Sequence, residues 1–351
     1  MSRLTLASAL EQRSDNYLPL RHLAALLVIY GHSYALSRPR AGQTDLVTKL
    51  LPGFYAGGFA VYLFFAISGY LVTLSLLRNP GVLRYLRNRI VRVFPGYVAC
   101  LLFCTFVVGM TLTRLPIGAY LQSDQTWQYL AGNLLPITLS WELPGVFDSN
   151  PMANVVNGTL WSLGLEVRWY AYLGLLAALT VVRRRWLFSA VALVLVLYGS
   201  WEWWSEKPDT NEYRALSQVF LIAALCAQWR ERVPVSHWLL AAFSAIAALT
   251  YGSRWFAPSV VMASLYFTFW LAYALPAIHW PRDRDYSYGL FLYGFPIQQT
   301  LVHWFPDIHP LLLFPLASAC ALLLAMLSWH LIERPVLHWK RVPEPQWLPA
   351  T

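Results

Sequence analysis

Charge is what this chain has least of. Asp, Glu, Lys and Arg together make up 12% of its 351 residues, against roughly 25% in an ordinary soluble domain. Cysteine is sparse as well. Cys100, Cys104, Cys226 and Cys320 all fall in apolar stretches, without zinc-site or disulfide-framework spacing, and read as buried small hydrophobes. There is no phosphate-binding glycine loop, no dinucleotide fingerprint, no Ser/Gly-rich linker, no low-complexity tract and no evident repeat. These absences exclude nucleotide-fold chemistry, a metal centre of standard spacing and a second soluble domain. The net charge of +9 invites a nucleic-acid reading, but no polar basic domain exists to present it, and no nucleic-acid partner is expected.

What is present is apolar and aromatic: 58% hydrophobic residues, with 17 Trp, 20 Tyr and 18 Phe. That composition predicts an all-α, polytopic membrane protein with aromatic belts. Ten membrane-length apolar segments stand out, near 18–35, 57–77, 97–112, 158–179, 186–201, 215–229, 238–251, 256–275, 287–304 and 311–331. Segment 238–251 is short enough to be re-entrant, since about 20 residues are needed to cross at right angles. The first carries Arg21, His22 and His32 and shows no small-residue cleavage site, so it reads as a retained helix. If the ten alternate from an inner N-terminus, 17 Lys and Arg fall on inner segments and 7 on outer ones, with Arg21 and Arg168 within spans. The positive-inside rule then puts both termini in the cytoplasm. The chain reads as one membrane domain over 1–351, with its core at about 18–341 and membrane lipids around it. Between the second and third spans, a Pro80-Gly81 turn leads into a predicted helix over 82–93 that Pro95 stops.

Arg21 and His32 are eleven positions apart in the first span. That is close to three helical turns, so they share one face, roughly 16 Å apart along the axis. Ionisable groups in hydrocarbon face a cavity or a partner, which makes this pair a candidate site. His32 has the chemistry of a general base near neutrality. Arg89 and Arg92, three apart, are neighbours on a helix surface and form a fork suited to phosphate, or to anchoring on anionic lipid. Glu166, eight residues into its span, must be protonated, paired or beside water. Pairing with Arg21 or Arg168 and a catalytic role are both open for it. Ser68-Gly69 within an apolar helix either bends it or admits a close neighbour. The Asn-Gly-Thr at 157–159 matches a glycosylation acceptor but abuts a span and is discounted.

These pieces together resemble the acyltransferase family 3 membrane proteins, which O-acylate cell-surface and secreted glycans. Three of its motifs are here: R-x10-H as Arg21 to His32, FFxxSG as Phe64, Phe65, Ser68 and Gly69, and RxxR as Arg89 to Arg92. LWSLGLEVRWY, with Trp161, Glu166 and Tyr170, resembles a fourth, and SYGLFLYGFP and HLIERP match late-span patterns. Members often carry a His before the Phe-Pro of the ninth span, where this chain has Gly294.

The resemblance implies a cytoplasmic acyl-coenzyme A donor, most often acetyl-CoA, without a metal. The acceptor it implies is a hydroxyl of a lipid-linked or nascent glycan, in the bacterial inner membrane, with other glycan-assembly proteins as partners. It gives Arg89 and Arg92 the donor phosphates, His32 the acceptor proton or the acyl group itself, Arg21 the donor arm or the polarisation of the cavity, and Glu166 the orientation of a histidine or pairing with Arg21. Phe64, Phe65, Ser68, Gly69, Trp161 and Tyr170 would line the reaction cavity. Three other readings compete: a transporter or flippase of glycan or lipid intermediates, a membrane acyltransferase of another class using a buried His with Asn133 or Asn157, and an idle scaffold. Paired broken helices in two repeated halves, the mark of a transporter, are missing.

Overall fold

The computed structural model describes residues 4–12, 15–38, 43–79, 81–136, 138–205, 212–281 and 283–339. Arg3, Arg13, Arg40, Lys207, Arg282, Lys340 and Arg341, all counted in the charge asymmetry, lie outside the described residues, as does Pro80. A helix stands at each of the ten apolar segments. These are α1 (Tyr17–Leu36), α2 (Ala56–Arg78), α3 (Val82–Leu102), α4 (Leu160–Ala178), α5 (Arg185–Ser205), α6 (Glu212–Gln228), α7 (His237–Leu249), α8 (Phe256–Tyr273), α9 (Ser287–Trp304) and α10 (Pro310–Ser328). Among the described residues the β-structure amounts to one isolated bridge, Thr5 with Pro234. The fold is all-helical.

Among the described residues, four helical stretches are long and apolar enough to cross a bilayer: Ala56–Arg78, Val82–Leu112, Phe256–Tyr273 and Pro310–His338. They sit at different depths in the protein. The apolar window of α2 is 83% buried and that of the α10 stretch 28%, so α2 is the hub of the bundle and α10 its rim. Cys320, on that rim, is exposed. This corrects the expectation of four buried cysteines: apolar surroundings in a membrane protein can be lipid-facing surface.

Pro95 does not stop a helix; α3 runs through it from Val82 to Leu102 and continues through a π-helical stretch, Phe103–Gly109. The expectation ignored tertiary contacts. A proline removes one helical hydrogen bond, here the one to the Val91 carbonyl, and a long apolar helix packed among neighbours tolerates that loss. The Tyr288 hydroxyl donates to the nearby Val93 carbonyl at 2.9 Å and ties α3 to α9 beside the proline.

Two packing relationships position the site. First, α2 and α6 touch backbone to backbone: a Cβ on Gly69 would lie 2.4 Å from the Phe220 carbonyl oxygen. Of the two readings of Ser68-Gly69, the close neighbour is the one realised, as small residues at membrane-helix crossings permit. Second, α1 and α9 run parallel and in register. The Gln298 amide donates to the Ile29 carbonyl at 2.7 Å and to Ser33 Oγ at 2.8 Å, and the same two helices are joined at their starts by Arg21 and Asp285. The connection between α3 and α4 carries two short helices, Ile117–Gln122 and Asp124–Asn133. Beyond them it is tied to α9: the Gln299 amide donates to the carbonyls of Met152 and Val155, each at 2.8 Å.

Candidate functional site

Where α1 and α9 begin, one buried carboxylate holds two arginines. Arg21 Nη1 lies 2.7 Å from Asp285 Oδ2, and Arg92 of α3 donates to that same oxygen. The other oxygen, Oδ1, accepts the backbone N–H and the hydroxyl of Ser287 at the start of α9. Burial alone would raise the Asp285 carboxyl; the two guanidiniums and the Ser287 hydroxyl outweigh it and hold the group well below the ordinary carboxylate range. Glu333 stands behind Arg92, its Oε2 4.0 Å from Arg92 Nη1 and its Oε1 accepting the Ser328 hydroxyl at 2.9 Å. A π-helical stretch, Trp329–Glu333, delivers it there, a deformation that recurs at functional positions. Beside this cluster, His22 has Nδ1 2.9 Å from the Leu18 carbonyl, and its Nε2 accepts the Tyr286 N–H at 3.2 Å. One nitrogen donating and one accepting describes a neutral, fully used imidazole.

From this cluster a cavity opens between α1, α2, α4 and α9. Its polar wall is Arg21, Ser68, Ser162, Glu166 and Tyr170, and Phe64, Phe65 and Phe291 are among its apolar residues. The space open to the centre of a water molecule is about 100 Å³, enough for several waters or an extended chain rather than a nucleotide. Ser68 donates to Glu166 Oε1 at 2.6 Å and lies 2.9 Å from the Tyr170 hydroxyl, which also donates to that carboxylate oxygen. Arg89 lies behind Tyr170, its guanidinium 5.8 Å from the ring centroid, and its Nε is buried without a hydrogen-bond partner.

His32 does not line this cavity. It lies further along α1, edge-on to Phe295 at 5.2 Å and to Tyr55 at 6.1 Å. Its Nδ1 is buried without a hydrogen-bond partner among the described residues. The two compartments are adjacent all the same. Phe291 lines the cavity and Phe295 touches His32; they are four residues apart on α9, about 6 Å along the axis.

The structure therefore brings Arg21, Phe64, Phe65, Ser68, Glu166 and Tyr170 together around one cavity and sets His32 one helical turn along α9 from its Phe291. It does not bring in Gly69, which faces Phe220, or Trp161, whose ring packs 5.0 Å from that of Tyr213. Glu166 is bound by Ser68 and Tyr170, not by a histidine or by Arg21, whose acid is Asp285. Arg92 is likewise taken by Asp285, so the arginine fork is divided. Asn133 and Asn157 are buried and spend their side chains on internal hydrogen bonds, Asn133 on Tyr129 and Ser140, Asn157 on Thr159 and on Leu292 of α9. Neither is available for chemistry with a histidine or for a glycan. At Gly294 a Cβ would lie 2.7 Å from Ile29 Cγ1, so α1 occupies the space a histidine would need.

Sequence reasoning passed over Asp285 and Glu333. The signal was charge balance: two arginines buried among apolar helices require acids, and few acids border a span. Among the described residues, no three His, Cys, Asp or Glu side chains converge on a metal-sized point.

The acyltransferase domain family matches residues 20–330 of this chain. A protein of Shigella phage Sf6 named O-acetyl transferase is 29% identical over 346 residues, covering 92% of this chain and 96% of that protein. Nodulation protein 10 of Rhizobium leguminosarum bv. viciae is 27% identical over 361 residues, covering 92% of this chain and 93% of that protein. No solved structure matches the chain.

Proposed function

The chain belongs to the acyltransferase family that matches it over residues 20–330, and from that membership we propose that it carries an acyl group from acyl-coenzyme A to a hydroxyl of an exported or lipid-linked glycan. The enzyme is an acyltransferase for groups other than aminoacyl groups, with apolar helices of membrane-spanning length. Acetyl is the proposed group, in line with the name of the phage relative. In this reading the chain is a single membrane domain of ten spans in a bacterial inner membrane, with both termini cytoplasmic. The donor enters at the end where α1 begins, and other glycan-assembly proteins supply the acceptor.

The observation that carries the proposal is the cavity running from Arg21 past Ser68, Glu166 and Tyr170 to Phe291, one turn short of His32. Its narrow bore suits the extended pantetheine arm of the donor and leaves the phosphates outside. Arg89, with no acid partner among the described residues, is the group proposed to hold them. Arg21 lies roughly 16 Å along α1 from His32, so it would act on the donor arm and not on the reacting carbonyl. Glu166, fixed by two hydroxyls, presents a steady acceptor to that arm. His32 would take the proton of the sugar hydroxyl as its oxygen attacks the thioester carbonyl. An ester forms, the carbon–sulfur bond breaks and the coenzyme leaves as its thiol. The same imidazole could instead carry the acyl group between the two partners.

The test uses membranes holding wild-type protein or the His32→Ala or Arg89→Ala variant at matched protein levels, given acetyl-CoA labelled in the acetyl group. Label reaching lipid-linked or extractable glycan in wild type, and lost in both variants, is the expected result. No label in wild type with several acyl-CoA donors and native glycan present would defeat the proposed donor and acceptor. A His32→Ala protein that transfers at the wild-type rate would defeat the base assignment.

A further inference from the structure

We propose that Asp285 is a positioning residue that locks the two motif arginines Arg21 and Arg92 against each other, so that Arg92 serves this joint and Arg89 alone meets the donor phosphates. The inference rests on the acyl-transfer reading above.

Both guanidiniums reach one atom. Arg21 Nη1 is 2.7 Å from Asp285 Oδ2, and Arg92 Nη2 donates to the same oxygen. Two like charges from different helices approach a common point in this way only with an anion between them. That anion is itself immobilised, because its other oxygen is taken by the backbone and hydroxyl of Ser287. The joint thus ties α1, α3 and the start of α9.

Arg92 is enclosed further. Glu333, 2% exposed, lies 4.0 Å away with an Oε2 that makes no hydrogen bond, and the Trp329 ring stands 5.5 Å from the guanidinium. A guanidinium bounded by two acids and an indole has little left for an external phosphate. Arg89, one turn earlier on α3, has no acid partner among the described residues and keeps a buried, unused Nε. Of the paired arginines, Arg21 is the one that lines the cavity. Asp285 therefore decides where the free donors of Arg21 point, without itself touching the donor.

A plain structural staple would make a different prediction, and kinetics separates the two. Initial rates at varied acetyl-CoA concentration, per folded protein by size-exclusion chromatography, would be measured for wild type, Asp285→Asn, Asp285→Glu, Arg92→Gln, the Asp285→Asn/Arg92→Gln double variant and Arg89→Gln. Binding of coenzyme A to the purified proteins would be followed by calorimetry. Misplacing Arg21 should lower kcat about 100-fold in Asp285→Asn and in Arg92→Gln, with the donor KM and coenzyme A affinity held within about threefold. The double variant should be no worse than either single one, because both break the same joint, and Asp285→Glu should recover part of the loss. Arg89→Gln should instead weaken coenzyme A binding about tenfold or more.

The inference is overturned if Asp285→Asn keeps the wild-type kcat, if its loss merely tracks folded protein, or if it weakens coenzyme A binding as Arg89→Gln does. Wild-type protein that transfers label while Asp285→Asn is indifferent defeats the positioning role alone. Wild-type protein that neither binds coenzyme A nor transfers label defeats the donor assignment, and this inference with it.

Discussion

Ser68 Oγ lies 2.6 Å from Glu166 Oε1, so a serine of α2 and a glutamate of α4 are joined by a direct hydrogen bond in the cavity wall. Tyr170 donates to the same oxygen from one turn along α4. Two hydroxyls converging on one carboxylate oxygen fix the cavity's polar side.

Removing that acceptor should be costly. Glu166→Ala leaves the Ser68 and Tyr170 hydroxyls, 2.9 Å apart, only each other as partners, so one buried hydroxyl proton loses its acceptor at about 1–3 kcal/mol, whereas Glu166→Gln keeps an acceptor and loses only the charge. We expect Glu166→Gln to fold like wild type and to lose at least about tenfold in transfer rate, and Glu166→Ala to fall in thermal stability as well. Rates and melting temperatures of the purified variants check both. A Glu166→Gln enzyme at the wild-type rate would reduce Glu166 to a packing residue.

Gly69 is fixed by the backbone opposite it. Even a methyl group there would meet the Phe220 carbonyl at 2.4 Å, and backbone cannot rotate aside. Gly69→Ala should destabilise by about 1–3 kcal/mol through forced separation of α2 and α6, and Gly69→Leu should reduce folded protein sharply. An unchanged melting temperature in Gly69→Ala would show that the crossing is looser than described.

Gly294 offers a contrast, because its obstacle is a side chain, Ile29. Gly294→His should lower the yield of folded protein, and adding Ile29→Ala should restore it by vacating the space. Yields after detergent extraction give the answer. A Gly294→His protein that folds normally by itself would mean that α1 and α9 can part.

The Asp285 cluster predicts a pH dependence of definite sign. Burial opposes the charge, but Arg21 and Arg92 hold the folded carboxyl below its unfolded value, which is about 3.9. Its stabilisation is therefore complete above that value and is lost only as the pH falls below it toward the folded pKa. Asp285→Asn should be less stable than wild type by a constant margin from about pH 8 to 5, and the margin should shrink below about pH 4. Melting temperatures across that range test it; a margin that widens in acid would mean the carboxyl is not held in its charged form.

The helical segments were legible in the sequence because hydropathy is a local property: each of the ten stretches holds a helix. Arg21, Ser68 and Glu166 were legible for a related reason, since polar groups in apolar stretches stand out residue by residue, while Tyr170 was legible only through its motif. What stayed hidden was long-range. Asp285 is 264 residues from Arg21 and 193 from Arg92, and it lies just outside a span, where an acid attracts no notice. Pro95 misled because one missing N–H does not end a long apolar helix held by its neighbours, and α3 continues through it to Leu102. Trp161 shares a motif with Glu166, but its helical phase turns it toward Tyr213 instead of the cavity.

The separation of Asp285 from its arginines also sets an order of events during synthesis. Arg21 and Arg92 leave the ribosome long before the carboxylate that neutralises them, which follows Arg92 by 193 residues. In the proposed ten-span arrangement the growing chain until then carries two cations on helices placed in hydrocarbon, where charge without a partner is unfavourable. In that arrangement α1 and α3 can close on each other through this joint only once residue 285 has been made. The joint that orders the finished cavity thus also marks the completed chain, because a nascent chain stopped before residue 285 lacks the group that closes it.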